Sequence, residues 1–404
     1  MNMTKKAVVT VFCITLTPFF LPISQAEDSV SAGQMGTGKP FIISTSVRHG
    51  YDDNIYTTPS NEHASMFTTI SPDFWLKYPL NDTTIEARYI LDAKYYWDRP
   101  SSSDWDFNHN FNMRIVHNFN DRLSLELRDQ FVYSQSPQVG TNNSIVRYLG
   151  DGYINNAAAS LTYGWTPKFS TVTTYNNTFN NYNNDSVNYD NNYFRNGVSQ
   201  DFRYAFLDTT TGVLNFTYDN FDYGYSHLKT YDSYIITAGV DHYLMPTWLI
   251  SGRFGAQIVD YADADISAST NPYVSLRSAW FYLPKSSFEA SYTYSTGITD
   301  NGSYATSEGH QINLGITHFW TPKFNTAAGL LLLFNNFEGS QALYSWVARS
   351  NLHETTIQPY FRAGYDITNW FSVEAGYQYT TVSSGDPYRP YWDNQFYIGV
   401  RGSY

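Results

Sequence analysis

The chain has 404 residues, a formal net charge of −12 and a mean hydropathy of −0.40. That acidic balance argues against a nucleic-acid partner. The one cysteine, Cys13, supports neither a disulfide framework nor a cysteine metal site, and no cofactor motif occurs, so no cofactor is expected.

At the N-terminus Lys5 and Lys6 precede an apolar run from Ala7 to Ile23, closed by Ser24-Gln25-Ala26. A charged start, a short apolar core and small residues at −3 and −1 are the pattern of an export signal, with cleavage expected after Ala26. A spanning helix is the rival reading, but Pro18 and Pro22 interrupt the run and Glu27-Asp28 follow at once. Losing Lys5 and Lys6 takes the formal charge from −12 to −14. Residues 27–40 then read as a short periplasmic segment, too short for a plug domain, and 41–404 as one barrel domain. No later stretch approaches the roughly eighteen apolar residues of a spanning helix. A membrane chain of this composition must hide its apolar surface in alternation.

Short turn motifs recur down the chain, about forty residues apart. They fall at 78–82, 117–121, 164–168, 205–208, 242–246, 281–285, 318–323 and 365–369. Longer polar stretches separate them, among them Asp98–Asp104, Gln135–Asp151, Asn176–Asn192, Asp260–Asn271 and Asn336–Asn351. With one more after the first strand and one before the last, the count implies an all-β, antiparallel, up-and-down transmembrane barrel of about eighteen strands, with sixteen as the alternative. Short turns would face the periplasm and long loops the outside. A propeller also repeats near this length, but its blades hold four short strands; here each repeat holds two runs of about twelve residues.

The strands alternate. From Ile85 the odd positions are Ile85, Ala87, Tyr89, Leu91, Ala93 and Tyr95, against Glu86, Arg88, Ile90, Asp92, Lys94 and Tyr96. Trp105, Phe107, Phe111, Met113 and Ile115 likewise oppose Asp106, Asn108, Asn110, Asn112 and Arg114. Period-two patterning with charges on one face suits a wall between lipid and water. Two places resist. Asp129 falls on the apolar register after Leu123, Leu125 and Leu127, which implies a bulge or an early exit from the bilayer. Leu330–Leu333 is apolar on both faces, leaving its register unreadable. The segment Asn176–Asn196, nearly all Asn, Tyr and Asp, reads as a solvated outside loop. In the last strand Phe396, Ile398, Val400, Gly402 and Tyr404 alternate outward, like the signal read by the barrel insertion machinery. The expected surroundings are outer-membrane lipid and lipopolysaccharide of a Gram-negative cell.

Eighteen strands leave an aqueous lumen. The inward register offers Lys77, Arg88, Lys94, Arg114, Arg128, Arg203, Arg253, Arg277, Arg362 and Arg401 against Asp73, Glu86, Asp92, Asp106, Glu126, Asp201, Asp241, Glu289 and Glu374. A ring of one sign would select ions of the other; a mixed lining favours neutral or weakly charged solutes. Opposite charges on adjacent strands can also simply pair. Trp75, Tyr96, Phe319, Tyr360 and Tyr397 are inward aromatics, suited to a sugar slide or to the rims. His117, His242 and His318 hold matching places before short turns, a placement for interfacial anchoring rather than a triad. No His-Glu-x-x-His, Gly-x-Ser-x-Gly or Walker-type motif occurs, so an enzyme is not expected.

Val47 to Asn54 follow the first strand and include the run Gly50-Tyr51-Asp52-Asp53-Asn54. The next hairpin carries Phe74-Trp75-Leu76-Lys77 and Arg88-Tyr89-Ile90-Leu91. This resembles the outer-membrane β-barrel porin family associated with exopolysaccharide export loci. The resemblance implies a channel passing a polysaccharide outward, docked to a periplasmic polysaccharide-export partner. It brings no catalytic or binding residues, and the strongly basic lumen of an anionic-polymer channel is missing. A diffusion porin, general or solute-specific, is the alternative; a surface adhesin or structural barrel is the third reading.

Overall fold

The computed structural model describes residues 40–100, 103–135, 152–183, 192–224, 229–264, 266–297, 299, 304–338 and 352–404. The expected signal peptide lies outside them. Eighteen strands follow in order: β1 Phe41–Asp52, β2 Ser65–Pro79, β3 Thr83–Tyr96, β4 Trp105–Asn120, β5 Leu123–Ser134, β6 Gly152–Gly164, β7 Phe169–Tyr182, β8 Tyr193–Leu207, β9 Thr210–Asp222, β10 Tyr231–Met245, β11 Trp248–Tyr261, β12 Ser269–Leu283, β13 Ser286–Gly297, β14 Thr306–Phe319, β15 Phe324–Glu338, β16 Leu352–Asp366, β17 Phe371–Ser384 and β18 Tyr391–Ser403. Each pairs antiparallel with its sequence neighbours, and β18 returns to β1 from Ser44↔Ser403 to Asp52↔Gln395. The barrel is closed, so no strand edge is left unpaired. Eighteen, not sixteen, is the strand number.

All eight short turns fall where the motifs put them, and threonine chemistry shapes several. In Gly164-Trp165-Thr166-Pro167-Lys168, Thr166 Oγ1 accepts the Lys168 and Phe169 amides at 3.3 and 3.0 Å. Thr321 repeats this with Lys323 and Phe324, and Thr368 with Trp370 and Phe371. A side-chain oxygen here satisfies amides that the tight turn removes from the ladder. Trp165, Trp320 and Trp370, each more than half exposed, ring this end of the barrel, where amphipathic rings suit a membrane boundary.

Registers and exposure separate the two faces. Outward positions are apolar and open, such as Phe74, Phe254, Ile316, Phe361 and Ile398; their inward neighbours are polar and largely covered. Water would bury the apolar set, so exposure of a continuous belt of this kind marks a lipid-facing wall.

Three local expectations are settled by register. Asn176–Asn196 is not one loop. β7 runs on through Tyr182 and β8 starts at Tyr193, because Tyr175 and Phe179 alternate outward with Asn176, Thr178 and Asn180 inward and the strands pair Asn177↔Asn196. Asp129 sits in an unbroken ladder, opposite Met113 and Ala157, so no bulge occurs there. In Leu330–Leu333, Leu330 and Leu332 pair with the outward Leu314 and Ile312, while Leu333 is buried inside against Val382 and Tyr391.

Candidate functional site in the barrel lumen

The structure places the nineteen named lumen charges on inward registers: Lys77, Glu86, Arg88, Asp92, Lys94, Arg114, Glu126, Arg128, Arg203, Asp241, Arg253, Arg277, Arg362, Glu374 and Arg401, together with Asp73, Asp106, Asp201 and Glu289. Inside the barrel most of them meet an opposite charge on an adjacent strand. Asp73 is the densest node. Arg88 donates Nε and Nη2 to its two oxygens at 3.0 Å, and Arg401 Nη2 donates at 2.8 Å from across the β18–β1 seam. Beside it Arg48 meets Glu374 at 2.5 Å. Toward the short turns, Glu86 lies between Lys77 at 2.8 Å and Arg114 at 3.6 Å, and Glu126 between Arg114 at 3.0 Å and Arg128 at 3.3 Å. On the far wall Asp241 takes Arg203 at 2.8 Å and Arg253 at 2.7 Å, and Arg277 faces Glu289 at 3.7 Å. Lys94 lies 3.7 Å from Asp52, and Asp92 accepts a hydrogen bond from Ser71.

Ion pairs held within one or two ladder steps leave little net field. The charges cluster on two arcs, β16 through β1 to β5 and β8 to β13. Between them β6–β7 and β14–β15 show the lumen only neutral side chains, such as Ser160, Thr174, Asn180, Gln311, Asn313 and Asn325.

Three inward aromatics lie against the wall. Tyr397 covers Gly376, Tyr360 covers Gly329 and Phe67 covers Gly50; at each glycine a Cβ would collide with the ring. A ring laid over a glycine of the neighbouring strand packs that bare backbone and keeps out of the bore. Guanidinium groups stand over three inward ring faces: Arg48 over Tyr397 at 5.2 Å, Arg88 over Trp75 at 5.4 Å and Arg362 over Tyr360 at 5.8 Å.

At the loop end, residues from the loops turn inward. Ile55 packs on Phe67 and Tyr96, Tyr223 on Tyr193, Tyr231 and Val259, and Tyr304 on Phe337 and Leu352. Lys229 Nζ donates to Thr299 O at 3.5 Å, tying the β9–β10 loop to the β13–β14 loop. Loop residues therefore pack onto the inner wall at this end.

Sequence reasoning missed several lumen charges. Arg195 and Asp219, paired at 2.9 Å, were hidden because Arg195 stands in the asparagine-rich stretch. Glu354, paired with Arg389 at 2.7 Å, was missed as well. Extending the period-two count through Asn176–Asn196 would have exposed Arg195. The Gly50–Asn54 run proves to be a clasp on the barrel seam. Asp53 accepts the Asn394 amide at 2.7 Å and its Nδ2 at 2.8 Å, and Asn54 Nδ2 donates to Trp392 O at 2.9 Å. Of the histidines noted before short turns, His117, His242 and His318 face outward and pair with Thr83, Thr210 and Tyr282.

A closed eighteen-strand antiparallel barrel with an apolar belt outside and a charged, polar interior has the architecture of an outer-membrane β-barrel. No family model and no curated protein matches the sequence. Among solved structures the chain is similar to OccAB4 of Acinetobacter baumannii, at 10% identity over 91% of this chain and 99% of that one, with a TM-score of 0.46. It is also similar to the outer membrane protein opdK of Pseudomonas aeruginosa, at 10% identity over 90% and 98%, TM-score 0.45. A third is the siderophore receptor PirA of Pseudomonas aeruginosa, at 10% identity over 91% and 80%, TM-score 0.42.

Proposed function

We propose that this chain is an outer-membrane diffusion porin for small polar solutes of little or no net charge, with its short turns in the periplasm. The observation that carries this reading is the pairing of the lumen charges, typified by Arg88 and Arg401 on Asp73 and by Arg203 and Arg253 on Asp241. Paired charges wet the bore without favouring either sign of ion. The ring faces of Tyr397, Tyr360 and Trp75, each beside a guanidinium, favour solutes with both apolar and hydroxyl faces, as pyranoses have. Export of a polymer rests on the family resemblance alone, and no feature of the lumen favours it over diffusion.

Purified barrel in planar bilayers tests the proposal. Open conductance with a reversal potential near zero in a salt gradient, and faster swelling of loaded liposomes in a monosaccharide than in a polysaccharide, are expected. A silent barrel, or strong selectivity for one sign of ion, would overturn it. A deletion strain that lost its surface polysaccharide would turn the reading to export.

A further inference from the structure

The outer wall differs sharply between sectors. Six to eight residues along the strands from the short turns, β14–β16 present Ile312, Leu330, Leu332 and Pro359. At about 3.3 Å per residue and a tilt near 40°, that level is roughly 15–20 Å above the turns, within an apolar band about 25 Å tall. At the same level β5–β8 present Asp129, Ala157, Asn177 and Gln200, with Asn155 and Asn196 just above.

Their side chains form three hydrogen-bonded clusters on this wall. Asn155 Nδ2 donates to Asp129 Oδ1 at 2.9 Å, Asn177 Nδ2 to Asn196 Oδ1 at 2.9 Å, Tyr175 OH to the same oxygen at 2.8 Å, and Thr173 Oγ1 to Gln200 Oε1 at 2.7 Å. Capacity remains, since Asp129 Oδ2, Asn177 Oδ1 and Asn196 Nδ2 make no hydrogen bond within the described chain. Acyl chains cannot supply the missing partners, and a carboxylate on a lipid face is unfavourable. Ala157 and Ala159 keep the wall low between the polar groups, which lets another wall approach closely.

We propose that this polar wall of β5–β8 is covered by a second copy of the chain. Carboxamides and hydroxyls both donate and accept, so the patch complements itself across a twofold axis. Its one charge, Asp129, already receives Asn155, leaving no excess of one sign to select a foreign partner. A copy also presents matching groups at the same membrane depth.

The test places benzoylphenylalanine at position 177, in place of Asn177, and separately at position 332, in place of Leu332, and irradiates intact outer membranes. The expected product at 177 is an adduct of twice the chain mass containing only this chain, absent at 332. A lipid adduct at 177, a different protein, or equal behaviour at both positions would overturn the proposal. Light scattering of the detergent-solubilised protein gives a second reading. Asn177→Leu with Gln200→Leu should turn dimer into a folded monomer that still conducts. An unchanged mass would overturn the interface, and conductance reports separately on the diffusion reading.

Discussion

The two kinds of lumen arc solve the same wetting problem differently. On β16 to β5, and again on β8 to β13, carboxylates and guanidinium groups are locked to one another, as Asp73 is to Arg88 and Arg401. On β6–β7 and β14–β15 small neutral groups line the wall, held by bonds such as Ser160 to Thr174 at 2.9 Å. The contrast teaches that charge in a bore need not mean selectivity. A charged wall can be stiff and electrostatically quiet, because each charge spends its field on a neighbour.

The largest effect should come from breaking a node. Asp73→Ala strands Arg88 and Arg401 in a buried site and should cost about 3 kcal/mol, where truncation of a buried pair costs most. Asn313→Ala on the neutral arc should stay within about 0.5 kcal/mol. Urea unfolding of the two variants checks this, and equal losses would erase the distinction between arcs. Next, Arg203→Gln with Arg253→Gln leaves Asp241 uncompensated and should move the reversal potential severalfold toward cation preference, while Thr174→Val should leave it unchanged. A smaller effect is expected at the rings. Gly376→Leu pushes Tyr397 off its seat and into the bore, lowering single-channel conductance; Gly315→Ala brings its Cβ no nearer than 4.0 Å to the Tyr360 hydroxyl and should conduct normally. The mildest change should follow Asn394→Ala, which loosens the Asp53 clasp and should lower the unfolding free energy by about 1 kcal/mol in urea titrations.

Much of the fold was legible. Outward Ile85, Tyr89, Leu91 and inward Glu86, Arg88, Asp92 can be read from spacing alone, since successive strand residues take opposite faces whatever they pair with. The turns were legible too, because proline, asparagine and threonine act within a few residues. Asparagine-rich β7 was not, as its carboxamides are polar but uncharged and equally at home in a loop or a ladder. Leu330–Leu333 failed for the opposite reason, being apolar on both sides.

The sequence by itself therefore determined the turns and which face meets lipid, both consequences of local period and local turn chemistry, and left the strand number between eighteen and sixteen until ring closure showed eighteen. Only the closed structure decided that Arg401 reaches Asp73 across the seam, that Tyr397 rests on Gly376, and that Asp129 joins a polar wall with Asn155. Each depends on the register between strands, and register is set by pairing over the whole circumference rather than by any one strand.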